Sequence, residues 1–460
     1  MGRGRKITKE KTNKIDMTQG SLGIKLWKFA LPVAASSILQ QLFNSVDVAV
    51  IGQYAGSHEQ AAVGSNGSLI NLLLNLFIGI SVGANVVIST YLGQREEKKV
   101  HKAVHTAIPV ALISGCVLLF FGIAAARPIL TLMDTPKAVL DFAVLYLRIY
   151  FLGMPFIMFY NFGAAILRSI GDTKRPLYCL VLSGMVNVGL NLFFVIVFRM
   201  GVAGVAIATV ISNVISAGMV GYFLTHTKEA IRLELRQIRI SGAELKEMLK
   251  IGIPAGIQSV VFSLSNVLIQ SAVNRFGADA MAGSAVSLNF EYYSYFIIAA
   301  FNQATVTFTS QNYGAGKYDR CKKVFWYSMV FSVVTTLSLD VIFMAGHKWF
   351  VALFTTDSAV AKYAVLRMET ILIFYFMASS YEVGGAALRG MGYSLTPAVL
   401  TMFGSCVFRI IWIYTVCRIY KSFETLILVY RISWVITGTA VLTAYFLIRK
   451  KAFQKEKSTL

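Results

Sequence analysis

The chain of 460 residues is 56% hydrophobic and only 14% charged, with a mean hydropathy of +0.64. So few charges cannot clothe a water-soluble surface of this size, and the chain therefore belongs in a bilayer. Its 43 Lys and Arg exceed its 22 Asp and Glu to give a net charge of +21, but they lie in short connections between apolar runs, which argues against nucleic acid as the partner.

The first 26 residues form a basic tail with Arg3, Arg5, Lys6, Lys9, Lys11 and Lys14. It lacks the short apolar core and small-residue cleavage site of a signal peptide. Six apolar runs follow at 27–51, 68–91, 103–124, 140–167, 177–198 and 202–225. A charged connection at 226–250 separates them from six more at 251–275, 284–310, 324–346, 363–388, 396–417 and 425–448, and a basic tail closes the chain at 449–460. Each run is long enough for a helix to cross ~30 Å of hydrocarbon. The fold class expected is therefore an all-α membrane protein with twelve transmembrane helices. The two tails and the even-numbered connections hold 30 of the 43 Lys and Arg, which puts both termini in the cytoplasm and the chain, as a multi-pass protein, in the cell membrane.

The two sets of six runs repeat one another. Tyr160, Gly163, Ala165, Leu167, Arg168, Gly171 and Pro176 recur as Tyr381, Gly384, Ala386, Leu388, Arg389, Gly392 and Pro397, each 221 residues on. Gly93 and Gly314 keep the same register, while Pro32/Pro254 and Asn44/Asn266 slip by one. Residues 27–225 and 251–448 are thus two six-helix lobes related by internal duplication. The 226–250 connection is their tether, expected to lie as an amphipathic helix beside the headgroups. Duplicated lobes are a common architecture of secondary transporters, in which one bundle rocks against the other.

No Walker loop, dinucleotide fingerprint or nucleophile elbow occurs, so neither an ATP-driven pump nor an enzyme is indicated. The five cysteines show no paired spacing, and no cofactor or structural metal is expected. His101 and His105, four apart among Lys98, Lys99 and Lys102, read as a solvated face rather than a metal site.

Polar groups inside the spans carry the functional signal, because each is costly in hydrocarbon. Asp47 lies about five residues, ~8 Å, from the outer end of the first span, and its counterpart in the second lobe is Ile269. Asn75 in the second span and Asn191 in the fifth fall at the same depth, with Asn187 one turn deeper on the same face as Asn191. Together they form a candidate site for H⁺ or, through hard amide oxygens, Na⁺ at Asp47. In the second lobe, Glu291 stands among Tyr292, Tyr295 and other aromatic residues, a composition suited to a lipophilic cation. Glu382, which replaces Asn161 of the first lobe, and Gln258 are assigned to the same substrate cavity. Asp340 and Arg409 are expected to neutralise one another, since a lone buried guanidinium is costly.

Pro32, Asp47, Asn187 and Asn191, with MGVAGVAIATVIS (200–212), GIPAGIQSVVFSLSNVLIQ (252–270), SQNYGAG (310–316) and LRGMG (388–392), resemble the multidrug and toxic compound extrusion (MATE) family of bacterial type. The resemblance spans nearly the whole chain and implies a V-shaped pair of lobes, alternating access, and export of amphiphilic, often cationic compounds in exchange for H⁺ or Na⁺. It places Asp47 at the family's coupling-acid position. The chain departs from the pattern at Asn191, where many members have Asp, and in lacking an acid in the seventh span; the tenth-span acid of the Na⁺-coupled branch aligns near Ala378. The partners expected are small amphiphilic substrates and the bilayer, with a monomeric protein. The alternatives are a flippase or exporter of a lipid-linked or other native metabolite, a major-facilitator transporter suggested by GAGKYDR (314–320), and a non-transporting membrane receptor or scaffold.

Overall fold

The computed structural model describes residues 14–133 and 135–457 and, among them, contains helices and turns but no strand. The basic residues Arg3 to Lys11 of the amino-terminal tail lie outside the described residues. The first lobe comprises α1 (Leu22–Tyr54), α2 (Ser57–Gln94), α3 (Glu97–Leu132), α4 (Lys137–Leu152 continued by Met154–Ser169), α5 (Lys174–Leu192 with a π-helical last turn, Phe193–Val197) and α6 (Gly201–His226). The second comprises α7 (Gly242–Asn274), α8 (Ala278–Gly314), α9 (Tyr318–Ala345), α10 (Ser358–Gly390), α11 (Leu395–Ile419) and α12 (Phe423–Lys457).

Ten of these helices are long and apolar enough to cross a bilayer, and α4 makes eleven when its halves, bent by 50° at Gly153, count as one span. The twelfth, α8, is 37 residues long but carries many Ser, Thr, Asn, Gln and Tyr residues along its buried sides. Among the described residues the structure thus has twelve long helices in two sets of six, eleven of them long and apolar enough to cross a bilayer. Large apolar side chains such as Leu31, Phe120 and Leu447 point outward and are exposed, as expected where the surrounding solvent is hydrocarbon. Each lobe has its own apolar core, one built around Ile88, Leu147 and Phe162 and the other around Ile371, Leu388 and Tyr445.

The lobes meet chiefly through α2 against α7 and α8, and α1 against α8. A Cβ on Gly79 would lie 2.3 Å from the Gly256 nitrogen, and one on Gly83 would lie 2.2 Å from the Met248 carbonyl oxygen. Backbone thus touches backbone, a separation that only glycine permits. Nearer the end that carries both termini, Gly93 packs on Gln311 and Gly314 on Thr90, two contacts that exchange under the 221-residue repeat. The α1–α8 side is filled by rings instead: Trp27 with Phe301 at 5.3 Å and Phe29 with Phe308 at 5.6 Å.

Hydrogen bonds between the lobes run from Asn75 Nδ2 to Ser263 Oγ (3.1 Å), from Thr307 Oγ1 to Asn85 Oδ1 (3.0 Å) and, closer to the terminal end, from Gln311 Nε2 to the Ser169 carbonyl (3.5 Å). In the opposite half of the molecule the repeat partners Asn44 and Asn266 are both exposed. Asn266 also accepts through its Oδ1 from Arg409 Nη1 at 3.4 Å.

Two segments outside the lobes brace the terminal end. Met17 is fully buried against α8, and its carbonyl accepts from Asn312 Nδ2 (3.1 Å) and Arg320 Nε (3.0 Å). Arg320 also donates to the carbonyls of Gln19 and Gly20, while Ile15 packs against Gly171 of the first lobe. Residues 14–20 are thus a strap across both lobes. The tether differs from the amphipathic helix expected at 226–250. Residues 227–241 hold a turn at 230–231 and one short 3₁₀ segment, Leu235–Gln237, and α7 begins at Gly242. His105 causes part of this difference, because its Nε2 accepts the Glu234 N–H at 3.0 Å, and Thr106 Oγ1 likewise accepts the Ser241 N–H at 3.0 Å. Side-chain acceptors on α3 satisfy backbone donors that a helix would have used internally. His105 is consequently buried rather than part of a solvated face.

Candidate ion-coupling and substrate site

In the first lobe, α1 and α5 lie side by side because Gly184 leaves room for the Phe43 ring. Four residues beyond Phe43, Asp47 turns inward and is 7% exposed. Its Oδ1 accepts from Asn191 Nδ2; the same amide donates to Asn187 Oδ1 at 3.2 Å, and Asn187 Nδ2 donates to Thr209 Oγ1 of α6 at 3.3 Å. Asn187 and Asn191 share a helix face because they are one turn apart. The phenols of Tyr146 and Tyr150 on α4 lie within electrostatic reach of the carboxylate. Among the described residues Asp47 has no ion pair, and Asn191 Oδ1 is buried without a hydrogen-bond donor. A carboxylate with no basic partner beside a spare amide oxygen is an arrangement in which a proton or a small hard cation fits.

Asn75 does not join these bonds. Its amide donates across the seam to Ser263, so equal depth in the membrane did not imply a shared face. Depth arithmetic fixes height along a helix but leaves rotation about its axis free.

The second lobe corrects two further expectations. Glu291 is not a free cavity charge. Its two oxygens accept from Arg367 Nε and Nη2 at 2.7 and 3.0 Å, Ser287 Oγ adds a 3.0 Å bond, and both partners of the ion pair are buried. Such a bidentate pair cancels the charge locally. Arg367 was visible as a basic residue inside the tenth apolar run, and that anomaly was the signal by which the pair could have been found. Tyr292 and Tyr295 on α8 are each partly exposed, and Tyr292 stacks along Phe296 with centroids 6.2 Å apart.

Asp340 and Arg409 do not pair. Asp340 Oδ1 accepts from Ser294 Oγ at 2.5 Å, whereas Arg409 donates from Nε to Ser433 Oγ at 3.1 Å and from Nη1 to Asn266 Oδ1 at 3.4 Å. The Arg409 guanidinium lies over the rings of Tyr430 (4.5 Å) and Phe262 (5.1 Å). Ring faces and neutral oxygens hold this cation in place of an acid.

Glu382 and Gln258 do come together. Asn302 Nδ2 donates to the Glu382 carboxylate, Arg389 lies within electrostatic reach of that group, and Arg389 Nη2 donates to Gln258 Oε1 at 2.8 Å. Tyr295 is electrostatically coupled to the same acid. Three helices, α7, α8 and α10, thus contribute to one polar cluster in the second lobe.

The MatE family model matches residues 32–193 and again 254–415, one match in each lobe. The chain is 28% identical over 402 residues to the "Probable multidrug resistance protein YoeA" of Bacillus subtilis, covering 84% of this chain and 86% of that protein. It is 24% identical over 383 residues to NorM of Thermotoga maritima, with 82% of each chain covered. The multidrug export protein MepA of Staphylococcus aureus is 25% identical over 251 residues, 55% of this chain and 53% of MepA. Among solved structures, MATE in the bent conformation superposes with a TM-score of 0.86 at 21% identity, over 96% of this chain and 98% of that one. An outward-facing multidrug resistance MATE transporter gives the same TM-score and coverage. With the duplicated lobes in place and both copies matched, the chain belongs to the MatE family of multidrug efflux transporters and is not an enzyme.

Proposed function

We propose that this protein exports amphiphilic, mainly cationic small molecules across the cell membrane by alternating access, in exchange for H⁺ or Na⁺ bound at Asp47. The observation that carries this reading is the buried Asp47 carboxylate, which has no basic partner among the described residues and sits beside an unsatisfied Asn191 oxygen. The coupling ion and a cationic substrate both have reason to enter the first lobe, and one carboxylate cannot neutralise both at once. That competition links release of one to capture of the other. With Glu291 neutralised by Arg367 and Asp340 fully buried against Ser294, the second lobe contributes Tyr292, Tyr295, Gln258 and Glu382 as the polar and aromatic lining opposite.

Contact between the lobes at the terminal end and exposed Asn44 and Asn266 toward the other end correspond to a cleft open away from the termini. The excess of Lys and Arg on the terminal side supports a cytoplasmic location for both ends, so the cleft faces outward. Two basic tails, at 1–26 and 449–460, and the tether between lobes 27–225 and 251–448 share that cytoplasmic face. The test is efflux of a fluorescent amphiphilic cation from reconstituted vesicles with the proton and sodium gradients imposed separately. One gradient should drive efflux against the substrate gradient; failure of both would refute the reading.

A further inference from the structure

A cavity of about 800 Å³ lies at the terminal end between the start of α3 and the tether, away from the Asp47 site. Lys98, His101 and Lys102 line it from α3, and Arg239 and Ser241 line it from the tether; Glu97 is the acid on its wall. Among the described residues no ion pair engages Lys98, Lys102 or Arg239, whereas the neighbouring Lys99 is bound to Glu96 at 2.7 Å. Three cations therefore converge on a concave surface, offset by Glu97 on its wall and by Glu234 of the tether, which lies within electrostatic reach of His101. The wall is preformed, because the His105–Glu234 and Thr106–Ser241 bonds fasten the tether to α3 on either side of Arg239.

The same tether exposes apolar side chains between its arginines. Leu235, Ile238 and Ile240 are 67%, 38% and 42% exposed, and Arg232, Arg236 and Arg239 alternate with them. Exposed aliphatic groups interleaved with cations at the end of a transmembrane bundle suit the interface of a bilayer, where the apolar groups enter the acyl boundary and the cations meet phosphate. A soluble anion would use the cations and leave the aliphatic groups in water.

We infer that this cavity is a binding site for the headgroup of an acidic phospholipid, held by Lys98, Lys102, Arg239 and His101 with Leu235, Ile238 and Ile240 in the adjoining lipid. The site joins α3 of the first lobe to the segment that leads into α7 of the second, so an occupied headgroup ties the two lobes at their terminal end. It is independent of which ion or substrate the transporter carries.

The test is native mass spectrometry of the purified full-length chain titrated with phosphatidylglycerol or with phosphatidylcholine of the same acyl length. The parent should retain phosphatidylglycerol preferentially. Lys98→Gln/Lys102→Gln/Arg239→Gln should lose that preference, with affinity falling roughly fivefold per cation removed. A control variant lacking three cations elsewhere on the same face, Lys228→Gln/Lys450→Gln/Lys451→Gln, should bind as the parent does. Millimolar inorganic phosphate should leave the bound lipid in place. Equal loss in both variants would reduce the effect to bulk charge, and displacement by phosphate would assign the cavity to a free anion. Either result, or equal retention of the two lipids by the parent, overturns the inference.

Discussion

Gly93→Ala should open the seam between the lobes at their terminal end. The added Cβ would lie 2.1 Å from the Gln311 carbonyl oxygen and 3.0 Å from the Ala315 nitrogen, both backbone atoms with no rotamer to yield. Restoring an ordinary carbon–oxygen contact requires α2 and α8 to separate by more than about 1 Å, which also loosens the reciprocal Gly314–Thr90 contact. Overpacking of this kind costs about 1–3 kcal/mol, and only in the conformation with that end closed. A cost of ~2 kcal/mol divides a population ratio by about 30, so a 99:1 preference for the closed end becomes about 3:1. Replacing glycine with alanine inside a helix favours both conformations by up to ~1 kcal/mol, so overall thermal stability is not the readout. The assay is spin-label distance measurement between Gln94 and Lys323 at the terminal end and between Tyr54 and Ala278 at the other. The first distance should lengthen in part of the population while the second shortens. Parent distance distributions in a folded Gly93→Ala protein would refute the argument from backbone contact.

Arg367→Met should destabilise the second lobe by about 3–5 kcal/mol, because it strands Glu291 in a buried site, whereas Glu291→Gln/Arg367→Met should regain much of the loss; thermal unfolding in detergent compares the two. Arg320→Ala removes three hydrogen bonds to the strap carbonyls of Met17, Gln19 and Gly20 and should lengthen the Gln94–Lys323 distance without changing the fold. His105→Ala leaves the Glu234 N–H without its acceptor and should cost about 1–3 kcal/mol, seen as faster proteolysis within 227–241 than in the parent.

The features legible in the sequence were those with a period. The 221-residue repeat announced two lobes, and the four-residue spacing of Asn187 and Asn191 put them on one helix face, where the Asn191 amide donates to both Asn187 Oδ1 and Asp47 Oδ1. Features that depend on which helix faces which were not legible. Asn75 lies at a suitable depth but turns to Ser263, and Glu291 finds its counter-ion 76 residues away on α10. Arg409 shows why charge counting failed there: ring faces and the Asn266 and Ser433 oxygens substitute for the acid that a pairing rule demands. The glycines at 79 and 83 gave no pattern by themselves, since their meaning lies in the opposing backbone of α7.

The central claim is that Asp47 couples ion entry to substrate export, and Asp47→Asn tests it most directly because the amide keeps the shape and removes the charge. In proteoliposomes, uphill transport of a fluorescent cation under whichever gradient drives the parent should fall to the ion-free background in the variant, with folding and insertion unchanged. Wild-type rates of gradient-driven transport by Asp47→Asn at equal incorporation would contradict the account.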